Sequence, residues 1–151
     1  MSYTSLLVHC VFATKGRLPL ISKDMQPRLW AYMGGIARTN GIKALAIGGM
    51  RDHVHLLLSL SRTMPVAKAI QLIKAGSSKW FNEQTRPRSF AWQEKYGAFS
   101  IGISQMKATI RYIENQEQHH RKRGYVDEFR QILKKHDIPP TAEFDEDFSR
   151  P

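Results

Sequence analysis

The chain is organised around the stretch Arg51-Asp52-His53-Val54-His55-Leu56-Leu57-Leu58-Ser59-Leu60. Its dense apolar residues follow the pair Gly48-Gly49, a pattern that predicts a β-strand entered through a hairpin turn. Because side chains alternate faces along a strand, one face of this strand is wholly apolar. That face carries Val54, Leu56, Leu58 and Leu60. His53 and His55 share the other face, about 6–7 Å apart along the strand.

Two imidazoles that project the same way from a rigid strand can bind one metal ion. The alternative is a pair of unrelated histidines. Since the apolar face is complete without them, core packing gives neither His53 nor His55 a reason to be there. The strand alone leaves both interpretations open, and the rest of the chain has to decide between them.

Length and composition predict one soluble, globular domain of residues 1–136, followed by an acidic, disordered tail of residues 137–151. Hydrophobic residues make up 42% of the chain and charged residues 24%, as in ordinary globular proteins. No apolar run approaches the roughly 20 residues of a membrane span, and the N-terminus lacks the pattern of a signal peptide. Cys10 is the single cysteine, which excludes an internal disulfide and fits a reducing, cytoplasmic location.

Charge is distributed unevenly along the chain. The formal net charge is +10, yet residues 137–151 carry five acidic residues and one arginine, so residues 1–136 carry a net charge of +14. A basic body of this kind favours a polyanionic partner, nucleic acid above all. The alternative is a charge that serves solubility alone.

The periodicity predicts strands at about 3–14, 42–50, 51–60 and 97–103, and helices at about 22–39, 66–84, 105–119 and 125–136. The first six of these elements follow the order βαββαβ, which is typical of an α+β, ferredoxin-like antiparallel sheet with helices on one face. In that fold the first and third strands are neighbours, which places His9 on the face of His53 and His55. His9 is then either an outer partner of a site or a satisfied core residue.

Basic residues are concentrated between residues 62 and 88, with Glu83 as the one acidic residue. Trp80, Phe81, Phe90 and Trp92 lie among or beside them, a combination that suits single-stranded nucleic acid. The alternative is a solvated helix face with the aromatic residues in the core. The candidate DNA-binding residues are Lys15, Arg17, Lys68, Lys74, Lys79, Arg86 and Arg88, with Arg121, Lys122 and Arg123 as further basic residues.

The predicted helix at 105–119 carries Tyr112 and Gln116, which are four residues apart and therefore lie on one helix face. Of the five tyrosines, only Tyr112 has a strong potential metal ligand four residues on. Gln116 would complement two imidazoles as an oxygen ligand, and Tyr112 would be a nucleophile. His119 and His120 follow one turn later; they could add to the site or act as cations at a helix C-terminus. A phenol and an amide on this face are also compatible with simple solvation.

Taken in order, four segments resemble the single-tyrosine HUH transposases of small bacterial insertion sequences, the TnpA type. The segments are His9-Cys10-Val11-Phe12-Ala13-Thr14-Lys15, Asp52-His53-Val54-His55-Leu56, Gly97-Ala98-Phe99-Ser100 and Tyr112-Ile113-Glu114-Asn115-Gln116. The resemblance covers roughly residues 3–120. It implies that His53, His55 and Gln116 bind a divalent ion, Mg²⁺ or Mn²⁺, and that Tyr112 on a C-terminal nucleophile helix attacks single-stranded DNA.

By the same resemblance, cleavage gives a 5′-phosphotyrosine, the DNA carries hairpin ends, and the enzyme is a homodimer with exchanged nucleophile helices. Gly102, just before the helix, would help such an exchange as a hinge. Three rival functions remain compatible with the residues: a metal-dependent nuclease that uses water, a basic ferredoxin-like module that binds nucleic acid without chemistry, and a domesticated HUH nuclease that does not transpose.

Overall fold

The structure is a computed structural model that describes residues 1–121 and 123–141. The strands are β1 (Leu7–Ala13), β2 (Lys43–Gly49), β3 (His53–Ser59) and β4 (Gly97–Ile101). The helices are α1 (Met25–Thr39), α2 (Val66–Gln84), α3 (Met106–Glu114), α4 (Gln116–His120) and α5 (Tyr125–Lys135). Of the predicted tail, residues 142–151 lie outside the described residues. None of the helices in the described part of the chain has both the length and the apolar character that a membrane crossing needs.

The four strands form one antiparallel sheet in the order β2-β3-β1-β4. The first and third strands are central neighbours, so the predicted α+β, ferredoxin-like topology is confirmed. The register sets Val11 of β1 opposite His55 of β3 and His9 opposite Phe99 of β4. Directly opposed residues point to the same side of a sheet, so these side chains belong to one face.

One side of the sheet, the apolar face, is covered by α1 and α2. Both helices present buried apolar residues at helical spacing, such as Leu29 and Met33 on α1 and Ile70 and Ile73 on α2. The sheet side chains beneath them are Val8, Cys10, Phe12, Val54, Leu56 and Leu58. This is the main hydrophobic core, and the predicted apolar side of the histidine strand lies in it.

The opposite side, the histidine face, is covered by α3 and α5. It carries His9, Val11, Ala13, His53, His55, Leu57 and Phe99. Ile113 of α3 packs on Leu57, and Phe129 of α5 lies in a second cluster with Val11 and Phe99. Helices therefore lie on both faces, two on the apolar face and the C-terminal ones over the histidines.

The β2–β3 connection differs from the prediction. Gly48 and Gly49 belong to β2, and the turn consists of the three residues 50–52, closed by a hydrogen bond from Met50 N–H to the His53 carbonyl. The glycine at position 48 has a packing reason, because a Cβ there would lie 2.3 Å from the Ile113 carbonyl oxygen. The missing side chain lets the α3 backbone approach the sheet closely.

The helix predicted at 105–119 is in fact two helices. A short 3-10 turn leads into α3, and the chain leaves helical geometry at Asn115 (φ −105°, ψ 31°) before α4 begins at Gln116. The break allows Gln116 to turn inward, and its side chain is 2% exposed.

Candidate active site on the histidine face

His53 and His55 are both fully buried, and each has one ring nitrogen held from behind. His53 Nδ1 lies 2.7 Å from Asp52 Oδ1, and His55 Nδ1 lies 2.9 Å from His9 Nε2. Such outer partners fix the orientation and tautomer of a metal-binding imidazole. The Nε2 atoms of His53 and His55 are thereby directed into the space between the sheet and α5, and the buried His9 contacts His55 on the side away from that space.

Glu128, on the first turn of α5, lies at the centre of that space. Its Oε1 is 2.9 Å from His55 Nε2, 3.1 Å from His120 Nε2 and 3.5 Å from His53 Nε2. The residue is 3% exposed. A buried carboxylate is costly without compensation, and here three imidazole nitrogens surround one of its oxygens.

Gln116 and His120 on α4 complete the cluster. Gln116 Oε1 lies 3.2 Å from His53 Nε2 and 3.2 Å from His120 Nε2. The amide nitrogen of Gln116 donates to the Tyr112 carbonyl at 3.3 Å, which ties α4 to the last turn of α3. The predicted ligand Gln116 therefore meets His53 in the same chain.

Tyr112 reaches the cluster through the other oxygen of Glu128. Its hydroxyl donates a hydrogen bond to Glu128 Oε2, and its ring packs edge-on against His55, with centroids 5.6 Å apart. The four residues predicted as catalytic or metal-binding thus converge within a single subunit.

The electrostatics of the cluster follow from burial and mutual contact. Burial alone would lower the pKa of His53, but its hydrogen bonds with Asp52 and Glu128 raise it to about 9. Burial lowers the pKa of His55, and it lowers that of His9 to about 3. Burial would raise the pKa of Glu128, yet the surrounding imidazoles hold it well below its usual range. The site therefore keeps an ionised carboxylate facing a protonated His53.

Burial and the neighbouring Glu128 carboxylate both raise the pKa of Tyr112, while Arg123 opposes the shift. The resting form is therefore the neutral phenol. A phenol held next to a carboxylate becomes nucleophilic only when positive charge or a proton acceptor is brought into play.

The cluster has the chemistry of a divalent-metal site. His53, His120 and Glu128 each offer a ligand atom, and these atoms lie within 4.8 Å of one another. His53 Nε2 faces the oxygens Gln116 Oε1 and Glu128 Oε1, both of which are hydrogen-bond acceptors. Either a proton on Nε2 or a bound cation is therefore needed between the ring nitrogen and these oxygens. Imidazole nitrogens combined with carboxylate and amide oxygens are ligands that a divalent metal ion can accept.

A groove of about 500 Å³ opens beside Tyr112, between α3 and α5. Ile101, Ala108 and Ile132 contribute apolar wall, while Arg123 and Lys135 lie on its exposed border. The Tyr112 ring and Glu128 also line it. The groove thus connects solvent with the phenol and combines apolar surface with positive charge.

The predicted DNA-binding residues fall into two groups. Lys15 and Arg17 follow β1, where Thr14 N–H donates to the Asp52 carbonyl, next to the histidine strand. The remaining five belong to α2 or the segment after it, and α2 lies on the apolar face, across the sheet from the histidines. Those five residues are Lys68, Lys74, Lys79, Arg86 and Arg88.

Lys74 has a structural role that the sequence did not suggest. Its ammonium donates to the carbonyls of Gln93, Glu94 and Lys95 at 2.7, 3.3 and 3.0 Å, and burial lowers its pKa to about 8. It also lies 5.0 Å from the Phe12 ring centre. Lys74 therefore holds the segment before β4 against α2. Arg121 and Arg123 are exposed on the histidine side, and Lys122 lies outside the described residues.

Glu128 is the site residue that sequence reasoning missed. A signal was present, because Tyr125, Phe129 and Ile132 form the buried stripe of α5 and Glu128 lies between them at spacings of three, one and four. An acidic residue on a buried stripe needs partners. Acidic residues in the first turn of a helix are also common because they interact favourably with the helix dipole. Glu128 therefore does not stand out in the sequence.

Comparison with known proteins bears on the family and the fold of the chain. The profile of a family described as "Transposase IS200 like" matches residues 2–116. A crystal structure of a candidate transposase from Deinococcus radiodurans R1 shares 23% identity with a TM-score of 0.62, covering 76% of this chain and 93% of that one. A tyrosine transposase associated with REP sequences, bound to a REP hairpin, shares 13% identity with a TM-score of 0.56, covering 75% and 67%. At these identities both structures establish the fold alone. No curated protein matches the sequence significantly.

Proposed function

Because the chain belongs to the IS200-like transposase family, we propose that it cuts and rejoins single-stranded DNA through a covalent link to Tyr112, with Mg²⁺ or Mn²⁺ as cofactor. The observation that carries this proposal is the contact of Tyr112 with Glu128, the carboxylate that His53 and His55 also approach. A nucleophile and a metal-type ligand cluster thus share one buried carboxylate.

The step proposed is a transesterification. Tyr112 Oη attacks the phosphorus of a phosphodiester; the Oη–P bond forms as the bond from phosphorus to the 3′-oxygen breaks. The products are a 5′-phosphotyrosine and a free 3′-hydroxyl. The phenolic proton is lost to solvent as the Oη–P bond forms, while Glu128 Oε2 orients the hydroxyl, and the departing 3′-oxygen takes a proton from solvent. Attack by another 3′-hydroxyl reverses the step, and the phosphoester bond energy is retained, so no ATP is needed.

His53, His55 and Gln116 would hold the divalent ion. When bound, the ion supplies Lewis-acid stabilisation of the negative charge that develops on the phosphate. The protein's own contribution is orientation: Asp52 and His9 hold the two imidazoles, and Gly48 lets α3 bring Tyr112 close to the sheet. Burial of both histidines keeps bulk water away from the ligand atoms.

For the DNA, we propose that a single strand enters through the groove between α3 and α5. Its apolar wall suits bases, and Arg123 and Lys135 suit phosphates. The REP-bound neighbour was solved with a DNA hairpin, which supports hairpin ends as the substrate here.

We infer cleavage by the Tyr112 of the same subunit, since that residue meets its own histidines. Two subunits would supply the two tyrosines needed to exchange strands, which supports a homodimer as the proposed assembly. A site formed within one subunit would not need the predicted exchange of nucleophile helices for cleavage.

The test is a search for the covalent intermediate. Full-length protein is incubated with Mn²⁺ and single-stranded oligonucleotides that carry candidate hairpin ends, then resolved under denaturing conditions. We expect a protein–DNA adduct that Tyr112→Phe abolishes, whereas Tyr96→Phe, on the opposite side of the sheet, still forms it. Cleavage at the wild-type rate by Tyr112→Phe would instead indicate a nuclease that uses water.

A further inference from the structure

The C-terminal helix α5 is not part of the region that the family profile matches, which ends at Gln116. Yet α5 packs firmly on the sheet. Tyr125, Phe129, Ile132 and Leu133 are buried in the cluster that includes Val11, Ala13 and Phe99. This packing brings Glu128 to the centre of the ligand cluster, where the profile-matched residues alone provide only imidazoles and an amide.

The positions of the two Glu128 oxygens are distinct. Oε1 lies within 3.5 Å of the Nε2 atoms of His53, His55 and His120, and Oε2 accepts the hydrogen of the Tyr112 hydroxyl. One carboxylate therefore contacts both the imidazole cluster and the Tyr112 hydroxyl, in addition to the packing of the Tyr112 ring on His55. No other carboxylate in the described part of the chain approaches the Nε2 side of the cluster; Asp52 contacts His53 at Nδ1, behind the ring.

The acceptor oxygens around His53 Nε2 also suit a divalent ion in place of the imidazolium proton. With Nδ1–H of His53 donated to Asp52, the neutral ring presents a lone pair at Nε2, which faces Gln116 Oε1 at 3.2 Å and Glu128 Oε1 at 3.5 Å. A charged His53 donates its Nε2 hydrogen to these oxygens, and a divalent ion bound by the neutral ring would occupy the same position as the positive charge among them. His120 Nε2 points at the same two oxygens, 3.2 and 3.1 Å away.

We propose that Glu128 is a bridging carboxylate, whose Oε1 binds the divalent ion together with His120 while its Oε2 positions the Tyr112 hydroxyl. This inference rests on the proposed function and adds two ligands to the three that the resemblance implied. The resulting set has five protein ligand atoms and a net charge of −1, where two imidazoles and an amide are neutral. A divalent ion is held more tightly by the charged set.

The test measures metal binding first. The apparent Kd for Mn²⁺ is determined by titration calorimetry and by the electron paramagnetic resonance signal of free Mn²⁺, for the wild-type chain, Glu128→Gln and Asp127→Asn. Asp127 is the matched control, because it is the neighbouring residue on α5, carries the same charge and is exposed. We expect Glu128→Gln to weaken Mn²⁺ binding by at least the roughly 10–100-fold that loss of an outer partner costs. Asp127→Asn should change it less than about twofold, the effect of a distant surface charge.

The second measurement addresses the Tyr112 contact. At saturating Mn²⁺, single-turnover adduct formation by Glu128→Gln should stay at least about tenfold slower than wild type, because the phenol has lost its charged partner. Asp127→Asn should reach the wild-type rate. Circular dichroism melting of each variant checks that α5 remains docked, and His120→Ala tests the second added ligand by the same titration.

The outcomes separate this inference from the function beneath it. Wild-type Mn²⁺ affinity in Glu128→Gln, with loss of binding in His53→Ala, would overturn the bridging carboxylate and leave the proposed function intact. Unimpaired cleavage by Tyr112→Phe would overturn the function, whatever Glu128 binds. A wild-type chain that binds no Mn²⁺ would overturn the metal role of both sets of ligands.

Discussion

The two faces of the sheet are built from the same strands and differ in almost everything else. On the apolar face, Leu56 and its neighbours pack under α1 and α2, and the buried sheet residues there carry no charge, since burial raises the pKa of the Cys10 thiol to about 12. On the histidine face, the same strand β3 places two imidazoles among a carboxylate, an amide and a phenol. Hydrophobic burial favours folding whichever residues supply it, whereas a buried polar cluster is tolerated only when its partners are matched in position.

This difference indicates that the two faces of the sheet have separate roles. The apolar face supplies stability, so α3, α4 and α5 can hold groups that would be unfavourable in an ordinary core. Gly48 shows how closely the second layer is fitted, because α3 lies where a side chain would otherwise be. The two faces should accordingly respond to mutation in different measurements, stability for one and metal or DNA chemistry for the other.

The largest expected effects on stability and on metal affinity come from Leu56 and His53, two residues of β3 whose side chains point to opposite faces of the sheet. Leu56→Ala removes a fully buried side chain from the main core and should lower the free energy of unfolding by about 2–5 kcal/mol. Its Mn²⁺ affinity should stay within about twofold of wild type wherever the variant is folded. His53→Ala should lower Mn²⁺ affinity by more than about 100-fold, because it removes a ligand rather than an outer partner. Chemical denaturation and Mn²⁺ titration of both variants check this, and loss of metal binding by folded Leu56→Ala would contradict the separate roles of the two faces.

A second prediction uses the pKa of about 9 that His53 has in the ion-free protein. Only the neutral ring binds an ion, so below pH 9 binding releases a proton and affinity rises with pH. Between pH 6.5 and 8.5 the apparent Kd for Mn²⁺ should fall by up to about tenfold per pH unit. Glu128 stays ionised throughout this range because its pKa is well below its usual value.

Asp52→Asn provides the control for this pH dependence. Without the carboxylate at Nδ1, the pKa of His53 should decrease, and the pH above which affinity no longer rises should decrease with it. Titrations in paired buffers of different protonation enthalpy count the released proton directly. An affinity that stays constant from pH 6.5 to 8.5 would show that His53 carries no proton in the free site.

The faces also differ in how well sequence predicts them. Alternation along β3 and the proline before α2 were enough for the apolar face, and α2 spans residues 66–84 as predicted, because burial of apolar residues repeats with the helical period. On the histidine face, the break at Asn115 and the approach of Glu128 depend on contacts between α3, α4 and α5. No periodicity encodes such contacts. The resemblance identified Tyr112 and Gln116 but extended only to about residue 120, short of Glu128.

A third, smaller effect is the difference in stability between alanine substitutions at two glycines, Gly48 and Gly35. Gly48→Ala places a Cβ 2.3 Å from the Ile113 carbonyl oxygen, so α3 has to shift. We expect a loss of about 1–3 kcal/mol in unfolding free energy, together with slower adduct formation, because Tyr112 precedes Ile113. Gly35→Ala in α1 meets nothing within 4 Å and should be neutral or stabilise by up to about 1 kcal/mol. Thermal melts and adduct assays of the pair would reveal whether the glycine requirement is specific to the histidine face.

The smallest effect concerns the path of the DNA, for which the structure offers two basic surfaces on opposite sides of the sheet. The sequence predicted basic DNA contacts both along residues 62–88 and at residues 121–123, and the groove beside Tyr112 carries Arg123 together with Lys135. We compare two double variants, Arg123→Gln with Lys135→Gln and Lys68→Gln with Lys79→Gln, since all four residues are exposed and each pair removes two charges. Tyr112→Phe in every background prevents cleavage during the binding measurement.

Binding of a single-stranded oligonucleotide is followed by fluorescence anisotropy at several salt concentrations. Each lost phosphate contact should reduce the slope of log affinity against log salt by about 0.7, so the groove pair should lose about 1.4. At moderate salt its affinity should fall about three- to tenfold, and the α2 pair should change neither quantity. A DNA path confined to the groove cannot reach the exposed side of α2, which lies across the sheet. If both double variants lose the same affinity and salt dependence, the DNA strand contacts the helices on both faces of the sheet. In that case the basic surface, unlike the candidate active site, would not be confined to one face of the sheet.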